Sequence, residues 1–428
     1  MALLFNRYRV ELAVLTAVYS AILINVFQFQ TLENLIGDTW PWLVGMAPFH
    51  NLGLPALGAF SALIVLVSTF GFAKSLRGAL PRDTALNLAI GMSLVWMCVA
   101  DWIHEGAKSS LADLGIFVYA ASVFVGFRVL MTRDGALERI QIALMLAIFP
   151  VSVSGVLELF GLHFWEYYPG HSNEGVYAVS GFLQRKEIFA YVTGMGFLLS
   201  CLEISKPGGK MVFAMISLLL CGFGVYFAGS RSVLLALFVV MSASLLHAFA
   251  NRRGRRAMPG QSRRLFIAIA VLSGALIMLA PFVHLGGDLS GYLLANDGGR
   301  LAMWERLLRQ VPEISAAESL LYGMGKAAFA ERVAIPAIGL SMISAHNTGL
   351  QLFVQYGLAG VALLLFTCFR FILCAYRQRT GVFLLWGYYL VVGLTSYLNA
   401  YPLVYMTLAL LCAVSLPKKG TPANLATP

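Results

Sequence analysis

The chain has 428 residues, 59% of them hydrophobic and only 12% charged, with a mean hydropathy of +0.79. A soluble domain carries about 25% charged residues, so this composition excludes a soluble globular protein. The net charge of +10 does not indicate a nucleic-acid partner, because the basic residues lie in short loops between apolar runs.

Apolar runs of roughly 20 residues recur along the whole length, which is what a helix needs to cross a bilayer. They lack the period-two alternation of barrel strands, so the expected fold class is an all-α polytopic membrane protein. The predicted spans, in chain order, are 10–30, 54–72, 84–101, 111–131, 138–160, 184–203, 211–229, 231–250, 264–285, 346–369, 380–399 and 401–416, about twelve transmembrane helices in all. The first run has no convincing small-residue cleavage site and reads as a resident helix. The six cysteines lie in or beside apolar runs without metal-ligand spacing and read as small core residues.

An even number of spans puts both termini on one side. Lys and Arg in the connecting segments then divide 21 to 9 between the two sides. The positive-inside rule makes the richer side cytoplasmic. That side holds Arg7, Arg9, Arg128, Arg133, Arg139 and the basic loop 252–264, which reads as an anchor on the cytoplasmic face. The expected organisation is helices 1–5 in 1–160, helices 6–9 in 161–285 with an outer loop at 161–183, and an outer loop domain in 286–345. Helices 10–12 in 346–416 and a cytoplasmic tail in 417–428 follow.

The nine basic residues on the outer side need local reasons, since topology does not supply one. Arg185 and Lys186 open the sixth span. Arg231 sits in FAGSRSV, a tight turn between the seventh and eighth spans. The outer loop 286–345, roughly sixty residues long, is of a length that is usually functional or a small domain. Within it DGGRLAMWERLLRQ reads as an amphipathic helix capped by Asp297 and carrying Arg300 near its start, so the loop is expected to be helical. Arg306, Arg309, Lys326 and Arg332 read as solvated or headgroup-facing charges.

His346 closes the polar segment IPAIGLSMISAHN, where it turns into the tenth apolar run. An ionisable side chain at the mouth of a membrane helix is a functional-site candidate by default. Gly357 and Gly360, within that run, form a small-xx-small pair that would let a neighbour approach the helix.

The order His346-Asn347, nine residues, then Gly357-Leu358-Ala359-Gly360 resembles the signature of the bacterial O-antigen ligase family. GSRS at 229–232 and Gly299-Arg300-x3-Trp304 are also similar to family motifs, and the resemblance covers roughly residues 180 to 400. One departure is QRKEIF at 184–189, where many relatives have an Asn-rich segment. The resemblance implies the fold of membrane-embedded, polyprenyl-dependent glycosyltransferases. It implies a donor polysaccharide on undecaprenyl pyrophosphate, a lipid A–core acceptor, and transfer on the periplasmic face of the bacterial inner membrane. Membrane lipids are the remaining partner, and no cofactor is expected.

The residues suit that chemistry. Breaking a sugar–pyrophosphate bond leaves a diphosphate of growing negative charge, which a site near the membrane must stabilise. The outer face carries no Asp-x-Asp or Glu-x-Asp pair to hold a metal. Guanidinium groups bind phosphate bidentately and stay charged. Arg231 and Arg300 are therefore expected to bind the pyrophosphate, assisted by Arg185 and Lys186. His346 is the candidate general base for the acceptor hydroxyl, a role worth about 10²–10⁴-fold in typical enzymes. Direct displacement with one base inverts the anomeric centre. Alternatively, His346 orients the diphosphate and the base lies elsewhere.

Three other readings use the same features. An O-antigen polymerase or a protein O-oligosaccharyltransferase shares the donor chemistry. Arg185-x10-Gly196 matches a spacing carried by some polymerases, but 41 glycines make such a match common by chance. A lipid-linked-oligosaccharide flippase would place charges at the midplane in broken, repeated spans. Here the charges stand at the outer ends of the runs and no internal repeat is evident.

Overall fold

A computed structural model describes residues 2–29, 59–65, 67, 84–105, 107–162, 179–183, 186–206, 210–250, 320–325, 347–377, 381–395 and 402–416. All regular structure among them is helical. The helices are α1 (Ala2–Phe29), α2 (Thr84–Glu105), α3 (Ala107–Leu130), α4 (Ala136–Leu159), α5 (Lys186–Ile204), α6 (Met211–Phe227), α7 (Arg231–Ala250), α8 (Thr348–Arg377), α9 (Val382–Thr395) and α10 (Pro402–Ser415). Each falls on a predicted span. The predicted span 264–285 and the loop helix from Asp297 lie outside the described residues, as does most of the span 54–72.

Four of these helices contain stretches long and apolar enough to cross a bilayer: Leu86–His104, Ala136–Leu159, Lys186–Ile204 and Thr348–Tyr376. Shorter apolar helices lie in α3, α6, α7, α9 and α10. A helix satisfies its own backbone hydrogen bonds, which is what lets such segments lie in hydrocarbon. The protein is an integral membrane protein.

The chain divides into two compact units. The first comprises Met1–Ala143, Arg300–Val382 and Ser396–Pro428, and the second Leu144–Gly299 and Phe383–Thr395.

In the first unit, α3 packs beside α10, α8 and α2. Phe117 meets Tyr405 edge to face and shares a core with Leu352 and Tyr356. Further along α3, Phe124 meets Phe371. At its end, the buried Arg128 donates from Nη1 to the carbonyls of Ala413 and Leu416, at 3.2 and 3.0 Å. An arginine so placed satisfies carbonyls that the end of α10 leaves open. These contacts advance together along the three chains, so α3, α8 and α10 run in the same direction. Arg139 forms a two-pronged ion pair with Glu11, at 2.8 and 2.6 Å. Tyr119 donates to Ala17 O of α1 at 3.0 Å and lies 2.9 Å from the Ser20 hydroxyl.

In the second unit, α5 and α6 form an antiparallel hairpin, and α7 returns beside α5. Tyr388 of α9 stacks on Tyr191 and donates to its carbonyl at 2.9 Å. Gly194 lies beneath the Tyr388 hydroxyl, so any side chain there would displace it.

Candidate functional site

Two of the proposed cationic positions are helix starts in the second unit. Lys186 is the first residue of α5 and Arg231 the first of α7. Between them the chain goes down α5, up α6 and over the turn Ala228–Ser230, so both helices begin at the same end of the hairpin. Ser230 closes the first turn of α7, its carbonyl accepting from Leu234 N at 3.1 Å. The tight turn expected around Arg231 is present. A helix N-terminus carries partial positive charge and open N–H groups. Lys186 is followed at once by Glu187 in the first turn of α5, and the Glu158 carboxylate lies at the same end, so acids stand beside the cations there. Among the described residues, Lys186 makes no ion pair. The Arg231 side chain and the whole of Arg185 lie outside the described residues.

The start of α5 is held by packing. Phe189, one turn in from Lys186, is fully buried. A Cβ added at Gly155, Gly181 or Gly224 would press on its ring. Bare backbone from α4, from the connecting strap 179–183 and from α6 therefore surrounds this one aromatic. Gly181 also has φ +54, which side-chain-bearing residues adopt with strain.

In the first unit the site candidate is the start of α8. Asn347 is its cap: Oδ1 accepts from Leu350 N and the main-chain oxygen from Gln351 N, both at 2.9 Å. His346 is the residue before this cap in sequence. His346 and Arg300 themselves lie outside the described residues. Because α3, α8 and α10 run in one direction, Asn347 stands at the opposite end of the unit from Arg128.

The span expected over 346–369 is helical as α8, with one feature its sequence did not announce. The helix breaks at Gly357, with φ 67 and ψ −173. The glycine pair does admit neighbours, but by two different means. A Cβ at Gly360 would collide with Tyr356 Cβ across the broken turn and also come within 3.1–3.2 Å of the Trp96 indole of the neighbouring helix. A Cβ at Gly357 would collide with the main chain of Leu321 and Gly323, so there a segment of backbone approaches. A break removes the preceding carbonyls from the i to i+4 ladder, and buried carbonyls must find other donors. Met324 N donates to Val354 O at 2.7 Å, and Trp96 Nε1 to Tyr356 O at 2.9 Å. Tyr322 stacks on Trp96 at 5.3 Å, completing the support from both sides.

Sequence reasoning missed several of these residues. Trp96 and Tyr322 carry no signal linking them to Tyr356. Glu158 was legible only as one acid among those on the outer side. In the structure its carboxylate, in a residue 7% exposed, accepts from Ser180 N and Gly181 N. Gln351 and Gln355 form a buried polar stripe on the first half of α8, and Gln355 Oε1 has no hydrogen-bond partner among the described residues. No group of three His, Cys, Asp or Glu at metal-holding spacing occurs among the described residues.

The fold defines a helical integral membrane protein in whose second unit the helices starting at Lys186 and Arg231 begin at one end. The O-antigen ligase family model matches residues 216–365. The match contains Arg231, Arg300, His346, Gly357 and Gly360, and leaves Arg185 and Lys186 outside. It is shorter at both ends than the stretch read from the motifs, and over these residues the resemblance is shown. Residues 216–365 of this membrane protein are thus similar to the O-antigen ligase family, whose members are glycosyltransferase-like ligases and polymerases. No curated protein matches the chain.

Proposed function

We propose that the protein is an O-antigen ligase. It transfers polysaccharide from undecaprenyl pyrophosphate to a sugar hydroxyl of lipid A–core, on the periplasmic face of the inner membrane. The observation that carries this reading is the single family match that takes in Arg231, Arg300 and His346 together. The placement of Lys186 and Arg231 at one end of the second unit supports it.

In the reaction the acceptor oxygen attacks the anomeric carbon as the bond from that carbon to the diphosphate oxygen breaks. The electron pair leaves with the diphosphate, and the proton of the hydroxyl passes to His346. Arg231 and Arg300 bind the diphosphate, with Lys186 and Arg185 assisting. Fixed cations aimed at the leaving group stabilise the charge as it develops, with no rearrangement at the moment of reaction. With cations in this role the mechanism needs no metal, and a single displacement inverts the anomeric centre. Both termini are cytoplasmic. The common end shared by Arg128, the end of α10, Arg139 and Glu11 agrees with the positive-inside count.

The test is a gel of surface lipopolysaccharide from a strain lacking the gene, together with its lipid-linked intermediates. Bare lipid A–core with long polymer retained on the carrier is the expected result. His346→Ala and Arg231→Ala, expressed at wild-type level, are expected not to restore ligation. Core bearing a single repeat unit would mean a polymerase. Unaltered lipopolysaccharide would mean another acceptor, or transport. Normal lipopolysaccharide from both variants would overturn the assignment of the site.

A further inference from the structure

The strap that leads into α5 has an unusual hydrogen-bond account. All five of its consecutive N–H groups are engaged. Val179 N donates to Phe227 O at the end of α6, at 3.1 Å. Ser180 N and Gly181 N both donate to Glu158 Oε2. Phe182 N donates to the Ser154 hydroxyl at 3.2 Å, and Leu183 N to Ser180 O at 3.2 Å. Three of the five bonds therefore end on two side chains of α4, one turn apart. One ends on α6, whose last residue precedes the turn to Arg231.

A short strap needs such tethering only if its position matters. A carboxylate removed from water is costly unless hydrogen-bonded, and a serine or asparagine would serve as a cheaper acceptor for one N–H. A carboxylate gathers two at once, and charge-assisted bonds to backbone N–H are roughly twice as strong as neutral ones. We propose that Glu158 is a positioning residue for donor binding: by gathering the N–H groups of Ser180 and Gly181 it fixes the entry of the chain into α5, and so the place of Lys186 beside the start of α7. The inference rests on the proposed reading of Lys186 as a ligand of the diphosphate. Glu158 acts through the strap and touches neither substrate.

The positioning role makes a kinetic signature. A misplaced cation weakens capture of the diphosphate donor while leaving the acceptor side untouched. Transfer is measured on the full chain in membranes or detergent, varying the undecaprenyl-pyrophosphate-linked donor and the lipid A–core acceptor separately. Glu158→Ala is expected to raise the donor KM by about tenfold, with the acceptor KM unchanged and kcat within about threefold of wild type. Glu158→Gln keeps an acceptor oxygen for the same two N–H groups and is expected to restore the donor KM to within about threefold. Tyr388→Phe, which removes a buried hydrogen bond elsewhere in the unit, is expected to leave the donor KM unchanged and so controls for general loosening.

An unchanged donor KM in Glu158→Ala, with Lys186→Ala raising it, overturns the inference and leaves the ligand reading intact. An unchanged donor KM in Lys186→Ala overturns the ligand reading, and the inference with it. Parallel changes in both KM values, with no rescue by Gln, would make Glu158 merely structural and also overturn the inference. Should Glu158→Ala fail to accumulate, Ser154→Ala removes one strap bond alone and is expected to raise the donor KM about threefold, while an unchanged value would count against the strap.

Discussion

The two ends of the α5–α6 hairpin each hold a buried glutamate, and the two differ in whether a lysine side chain is among the donors. At one end Glu203, 1% exposed, accepts from Lys206 Nζ at 2.8 Å and from Lys210 N at 3.3 Å. At the other end Glu158 accepts from the main chain of the strap, while the nearby cations begin α5 and α7. Where the acid takes the lysine of its own loop, the charge is internally balanced and the loop is simply closed. Where the acid takes backbone N–H groups, it ties down the strap that leads into α5. A cation count therefore says little about function until the partners of the buried acids are known. By this criterion Lys206 is structural, whereas Lys186 makes no ion pair among the described residues.

The sharpest way to break this comparison is to remove one cation from each end. Arg231→Ala is expected to lower transfer by about 10²-fold or more, the scale seen when one stabilising donor is lost from a charge-developing site. Lys206→Ala is expected to stay within about twofold. Ligated lipopolysaccharide at matched protein level checks both, and equal loss would erase the distinction between the ends.

Removing the acid at the structural end should affect stability without affecting the donor. Glu203→Ala leaves the Lys210 N–H without its acceptor and is expected to cost about 1–3 kcal/mol. The readout is a lower thermal midpoint in detergent with an unchanged donor KM. A rise in donor KM as large as that of Glu158→Ala would mean that the two ends are coupled.

A smaller effect calibrates the unit between those ends. Tyr388→Phe removes one hydrogen bond to Tyr191 O but keeps the stacked rings, and is expected to cost about 1 kcal/mol. Thermal unfolding in detergent measures it, and a loss no smaller than that of Glu203→Ala would show that the acid is not the stronger tie. The smallest change is expected in the first unit. Gln355→Leu removes the buried amide oxygen that lacks a partner among the described residues, so the thermal midpoint is expected to stay level or rise slightly. A marked fall would mean that Gln355 has a bonded role.

Much of the fold was legible because each predicted span is a local property. The predicted span 138–160 became α4 at Ala136–Leu159, and 211–229 became α6 at Met211–Phe227. The turn before Arg231 was equally visible, since Gly-Ser after an apolar run stops one helix and caps the next. At the candidate site the residue types at 186, 231, 300 and 346 could be named for the charge they carry, but nothing in their spacing pointed to Glu158, Trp96 or Phe189. Those three act across 22, 260 and up to 35 positions of sequence, through partners that share no periodicity with them.

The sequence by itself determined that this is a helical membrane protein, where its described helices lie, and which residue types stand at their ends. Hydropathy summed over about 20 residues decides whether a segment enters lipid, and a cap such as Asn347 acts within one turn. Tertiary structure alone decided that Gly357 breaks α8, at one of the two glycines read as admitting a neighbour. It also decided that Met324 and Trp96 take up the exposed carbonyls, and that Glu158 secures the entry to α5. The physical reason is common to all three. A regular helix pairs its own backbone, so its bonds follow from position in the chain. An irregular backbone leaves donors and acceptors open, and their partners are whichever groups the fold brings within reach.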